Sequence, residues 1–168
     1  MKRKLLLVAL LVGLSLMAGC GSDNFVTTCK VSSGAIGMKI MAVQLGVIDK
    51  PKAVANVITV KGLELCIDGW YQSLIDGNTV SPEQVACAIN VMNQLSSEAQ
   101  TYRPKVEAEL KAEYGVDVKM SIPSGATNDE IENAYNLFKN ACQSYYWTVG
   151  FIYGEDGSGA MMLRRPAK

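Results

Sequence analysis

Histidine is absent from all 168 residues. That removes the commonest metal ligand and the commonest general base at neutral pH. A serine or cysteine nucleophile usually needs such a base, so Ser-His and Cys-His catalysis is excluded. Five cysteines are present, at 20, 29, 66, 87 and 142, and no two stand at CxxC spacing. Zinc, haem attachment and thiol-redox motifs therefore find no support. No excess of positive charge exists either: sixteen basic residues face sixteen acidic ones. Nucleic-acid binding calls for a basic footprint, and none is expected as a partner here. The longest apolar run, Leu5 to Leu16, falls short of the roughly 20 residues of a membrane span. No metal site and no cofactor is expected.

What is present begins with that run. Lys2, Arg3 and Lys4 precede it, and the small residues Ala18 and Gly19 follow it, directly before Cys20. This is the layout of a secretory signal. Leu16-Met17-Ala18-Gly19-Cys20 resembles the lipobox of bacterial lipoproteins, with Met17 where the pattern most often has Leu. The resemblance covers the leader alone. It implies cleavage before Cys20, lipid on the Cys20 thiol and acylation of the new amino group. Membrane lipid would then be one partner, held through Cys20. Gly21 stands where Asp retains lipoproteins in the inner membrane in enterobacterial-type sorting. The resemblance therefore favours the outer membrane, facing the periplasm. Loss of Lys2, Arg3 and Lys4 would leave thirteen basic residues against sixteen acidic ones, a formal charge of −3.

The expected organisation is a signal peptide over 1–19, a lipidated tether over 20–28, a helical domain over 29–153 and a flexible tail over 154–168. Ile36, Ile40, Val43 and Val47 recur at helical spacing, which predicts a first helix over Ser33–Asp49. Pro51 suits the first turn of a second helix, over Pro51–Asp76, and Asp76-Gly77-Asn78 signals a turn. Ser81-Pro82-Glu83-Gln84 is a capping box with Pro at the first helical position. Pro104 is expected to end or kink the third helix. Val116 to Ile122 alternates like a strand or an extended connector. Thr127 and Glu130 open a last helix carrying Ile131, Tyr135, Phe138, Cys142, Tyr145 and Val149. The fold class is all-α: an up-and-down bundle of four to five helices, stapled by disulfides, with one short extended segment.

With Cys20 lipidated, four cysteines remain, and an even number in an exported chain suggests two disulfides. Folding the helices back on one another at the turns, with the last running back along the third, brings Cys29 level with Cys87 and Cys66 level with Cys142. Those are the predicted pairs. Cys66–Cys87, across one hairpin, is the alternative, and four buried thiols are the other.

Three functions fit. The first is a non-enzymatic, membrane-tethered interaction module for an envelope protein: an inhibitor, exclusion, immunity or assembly factor. Its candidate surface is Tyr146, Trp147 and Phe151, because neighbours on a helix diverge and Tyr145 takes the core direction. A covering helix or tail is the alternative fate of those rings. The second is a carrier of a small apolar ligand, in a cavity lined by Met38, Met41, Met92 and Trp70. The third is a hydrolase using carboxylates alone. Glu64 and Asp68, or Glu109 and Glu113, lie four apart on a helix. A raised pKa in a cleft would mark such a pair. Solvated helix surface is the ordinary reading of both.

Overall fold

The computed structural model describes the backbone of residues 2–114 and 128–154 and the side chains of residues 22–112 and 129–154. It is a bundle of four helices: α1 (Lys2–Gln44), α2 (Lys50–Ile75), α3 (Pro82–Tyr114) and α4 (Asn128–Tyr153). No strand occurs among the described residues. The expected extended segment, 116–122, lies outside them, as does the expected tail beyond residue 154.

Local chemistry sets the helix ends. At the end of α1, Gly46 takes φ +70°. Its N–H bonds the Val43 carbonyl at 3.1 Å, and the Val47 N–H reaches back to the Ala42 carbonyl at 2.8 Å. This is a Schellman stop, with glycine in the left-handed position. The same device ends α2. Gly77 has φ +66°, and the Asn78 N–H donates to the Ser73 carbonyl at 2.9 Å. Asp49 is not the end of the first helix but the cap of the second, its Oδ1 accepting from the Lys52 N–H at 3.1 Å. At the start of α3 the Ser81 N–H donates to Gln84 Oε1 at 3.0 Å, and the Gln84 N–H to Ser81 Oγ at 3.2 Å. The capping box is complete.

Two expectations about helix extent are corrected. Residues 22–28, expected in a tether, are helical, and Phe25, Val26 and Thr28 are buried. The reason is a core stripe longer than the one seen in sequence. Phe25, Cys29, Ser32, Ile36, Lys39 and Val43 alternate four- and three-residue steps, and all are buried. Such spacing is one helix face. Pro104 neither ends nor kinks a helix into two elements; α3 runs through it. Pro104 and Gln100, the residue whose carbonyl loses a donor, are both exposed, so the freed carbonyl is on the solvent side of the bundle, where the lost bond costs least.

Side-chain contacts fix the directions. The Phe25 ring lies edge-on to Trp70 at 5.3 Å and stacks on Tyr71 at 6.0 Å, so the middle of α1 meets the end of α2. Tyr71 stacks on Tyr135 at 3.8 Å, near the start of α4. At the other end the Tyr153 hydroxyl donates to the Ile48 carbonyl at 2.7 Å, and the Tyr145 hydroxyl to the Ala53 carbonyl at 3.1 Å. Thus α1, α3 and α4 point one way and α2 the other. The alternation of an up-and-down bundle holds through α3 and stops there. α1 packs most extensively against α4 and then α3; α2 packs against α3 and α4. The pairs α1/α2 and α3/α4 stand diagonally, around a core led by Trp70, Tyr145, Phe25 and Phe138.

The predicted disulfides are corrected for the same reason. Cys66 bonds Cys87 across the α2–α3 hairpin, with a Cα–Cα separation of 5.9 Å. Cys29 and Cys142 are buried thiols. Neither Cys29–Cys87 nor Cys66–Cys142 forms. The hairpin reverses at the Schellman stop around Gly77, and Cys66 and Cys87 meet across it. The parallel course of α4 removes the basis for a Cys66–Cys142 pair.

Candidate functional site

Three features carry chemistry: a polar cluster between α2 and α4, a buried polar layer joining α1, α2 and α3, and an exposed apolar face on α4.

The first cluster contains the carboxylate pair singled out in sequence. Glu64 and Asp68 lie on the side of α2 that faces α4. Lys139 Nζ stands 2.5 Å from Glu64 Oε1 and 3.1 Å from Asp68 Oδ2. Lys61 Nζ is 3.0 Å from Glu64 Oε2. The Tyr146 hydroxyl donates to Glu64 Oε2 at 2.9 Å, and the Tyr135 hydroxyl to Asp68 Oδ1 at 3.0 Å. Burial alone would push the Glu64 carboxyl up. The hydrogen bonds from Lys139, Lys61 and Tyr146 outweigh it, and the group sits below its ordinary value. A general acid would need the opposite shift. On Lys139 burial opposes the charge, but hydrogen bonds to Glu64 and Asp68 hold the ammonium form above its usual range. Burial and the bond to Asp68 push the Tyr135 hydroxyl up to about 12. The set is a fixed ion-pair network that clamps α4 to α2. Of the second carboxylate pair, Glu109 is exposed, and the Glu113 side chain lies outside the described residues.

The buried layer was missed in sequence. Lys39 is wholly buried, with Nζ 2.6 Å from Glu98 Oε2 and 3.1 Å from Asn56 Oδ1. Its ammonium also lies 5.7 Å from the Tyr102 ring centre. Lys52 adds a second, exposed cation 3.5 Å from Glu98. Burial lowers the Lys39 pKa, and Glu98 only partly restores it. The signal was available: Lys39 sits in the four-three stripe of α1, where a heptad places core residues. Its partner, 59 residues away, was not readable.

The aromatic end of α4 divides as helical geometry requires. Tyr145 is buried. Tyr146 is half-buried and its hydroxyl is engaged by Glu64, which takes it out of the expected binding surface. Trp147 is 53% exposed and Phe151, one turn on, 79% exposed. Leu137 is also exposed and continues the outer face of α4 downward. On α2, Ile58 and Leu65 are exposed seven residues apart. Trp70 and Met38 are core residues, and Met41 and Met92 pack partly buried against that core.

The Cys20 side chain lies outside the described residues. Among the described residues, no group of three or more Cys, Asp or Glu side chains is arranged to hold a metal ion. None of the helices, among those residues, is long and apolar enough to cross a membrane. Comparison with family models, with curated proteins and with solved structures gives no match.

Proposed function

We propose that this chain is a lipid-anchored protein of the bacterial envelope that works as a non-enzymatic interaction module, offering the outer face of α4 to an envelope protein. The observation that carries the reading is the exposure of Trp147 and Phe151 on a helix whose other faces are locked. Tyr145 ties α4 to Ala53, Tyr153 ties it to Ile48, and Lys139 and Tyr146 clamp it to Glu64. A rigid helix presenting aromatic anchors loses little freedom on binding. The anchoring half of the proposal rests on the lipobox and Cys20. Several acyl chains hold a domain stably, at about 0.8 kcal/mol per buried methylene. A partner in the same membrane then meets this face at raised effective concentration. Cys20 precedes Phe25 by just over one turn, and the aromatic contacts of Phe25 lie far from Ile48 along the bundle, so the aromatic pair stands roughly 30 Å from the anchor along the axis.

The test is photo-crosslinking in intact membranes, with the reactive group at Trp147 and, as a control, at Ile58 on α2. A single envelope protein captured from Trp147 alone, and lost when Phe151→Ala is added, supports the module. Capture of a small apolar molecule instead would move the assignment to a carrier. Cys20→Ser is expected to abolish lipid labelling and leave the leader uncleaved by the lipoprotein peptidase; normal processing of that variant would sink the anchor.

A further inference from the structure

α4 carries two stripes. The inner one, Phe138, Cys142, Tyr145 and Val149, is buried in the core. The outer one is Leu137, Asn140, Ser144, Trp147 and Phe151, and all five are exposed. They recur at alternating steps of three and four, the heptad spacing of a coiled-coil seam. At about 100° per residue they fall within an arc of about 80°. The seam is free of charge. Its flanking positions, Asn136, Ala141, Gln143 and Thr148, are uncharged. Lys139 lies on the side turned to α2, where Glu64 and Asp68 hold it. No exposed residue of α4 from 133 to 152 bears a charge. The outer face of α3 is the contrast, with Glu83, Lys105, Glu109 and Lys111 exposed. Depletion of charge together with aromatic side chains marks the centre of an interface.

We infer that the occupant of this face is a second copy of the same chain, its α4 running antiparallel across a two-fold axis. The inference rests on the reading of the outer face of α4 as a docking face and names what docks there. A two-fold contact sets one patch against itself. A charged seam would then meet its own sign, and this seam has none to repel. With the axis level with Cys142, Leu137 of each copy meets Trp147 of the other, and Asn140 meets Ser144 of the other. Two Leu–Trp layers lie outside and two Asn–Ser layers inside. Each inner layer sets an amide beside a hydroxyl, so each group has a partner. A polar residue in such a seam fixes the register. A parallel pair would instead stack Trp on Trp in one layer and Ser on Ser in the next, which no single helix spacing suits. From Leu137 to Phe151 the contact runs about 21 Å. That is a small interface, below roughly 1,200 Å². Confinement of both copies to one membrane supplies the effective concentration so small a contact needs.

The test is photo-crosslinking of the full chain in intact membranes, with the reactive group in place of Trp147 and the cross-linked peptides sequenced. The expected product is a covalent dimer joining position 147 of one copy to the peptide around Leu137 of the other. Asn140→Lys should cut its yield by about tenfold or more, and so should Ser144→Glu, since each sets like charges across the axis. Both positions are exposed, so circular dichroism and the thermal midpoint should stay those of the parent chain. Co-expression of the two variants should restore the dimer, because the introduced cation and anion then face each other in one layer. A parallel seam sets 140 against 140 and gives no such rescue. Position 147 linked to position 147, or no rescue on mixing, overturns the antiparallel pair. Capture of a different envelope protein from Trp147, with no dimer, overturns the second copy and keeps the docking face. No protein captured at all removes both readings.

Discussion

Lys39 Nζ lies 2.6 Å from Glu98 Oε2, with the lysine side chain fully buried and the glutamate 24% exposed. The pair joins α1 to α3 inside the bundle, beside Asn56 of α2. Its two halves are unequal. The lysine has no route to water, whereas the carboxylate has one. Removing the carboxylate leaves a buried cation with one neutral acceptor, and such losses cost about 3–5 kcal/mol. Removing the cation while keeping the volume costs far less, because an apolar replacement suits its surroundings. Glu98→Ala is therefore expected to lower the unfolding free energy by about 3 kcal/mol, and Lys39→Met by about 1 kcal/mol or less. Urea unfolding of the two variants checks the order, which a merely superficial ion pair would not produce.

The acid side of the stability profile follows from two carboxylates. Glu64 and Glu98 both sit below their ordinary value; in each burial pushes up, and it is outweighed by hydrogen bonds from Lys139, Lys61 and Tyr146 at Glu64 and by the Lys39 hydrogen bond with the Lys39 and Lys52 charges at Glu98. A group whose folded pKa is depressed stabilises the fold above its unfolded pKa and loses that contribution as pH falls through the folded value. Stability is expected to be steady near neutrality and to decline on acidification below the usual carboxylate range. Glu64→Gln should flatten part of that decline. Thermal midpoints measured across acidic buffers give the comparison.

Phe25 tests whether the residues after Cys20 form a tether or a core helix. Its ring is fully buried against Trp70 and Tyr71. Phe25→Ala is expected to cost about 3–5 kcal/mol. The neighbouring Asn24 is exposed, and Asn24→Ala should change stability by less than about 0.5 kcal/mol, as surface changes do. Equal, small effects at both positions would restore the tether.

The Cys66–Cys87 bridge closes a short loop with a sequence separation of 21. Chain-entropy reasoning gives about 3 kcal/mol for a loop of that size. Cys66→Ala with Cys87→Ala should lose at least that much, since Cys87 is exposed but Cys66 also packs partly buried against the core. The urea midpoint should fall while the slope stays close to that of the parent chain, unless the unfolded state expands.

What could be read from the chain was what depends on neighbours three or four residues away. The Ser81–Gln84 box, the fit of Pro51 to the first turn of α2, the turn at Gly77 and the inward course of Tyr145 are all of that kind. So was the all-α class, because the stripes on α2 and α4 repeat at helical spacing over many turns. The outward position of Trp147 followed from the same geometry. The α1 stripe was legible too, but its two polar members, Ser32 and Lys39, hid its length.

Other outcomes turned on contacts between residues far apart in the chain. Whether α4 ran with α1 or against it was open, since the connection at 115–127 is long enough for more than one course. Which cysteines met depended on that direction and on the register of the α2–α3 hairpin. Glu64 and Asp68 looked like a free acidic pair until α4 brought Lys139 and two tyrosines to them. Lys39 became tolerable in a core only once Glu98 and Asn56 arrived from other helices. Local hydrogen bonding and periodicity select helices and their ends. Register, direction and charge pairing come from side chains that meet only after the helices have packed.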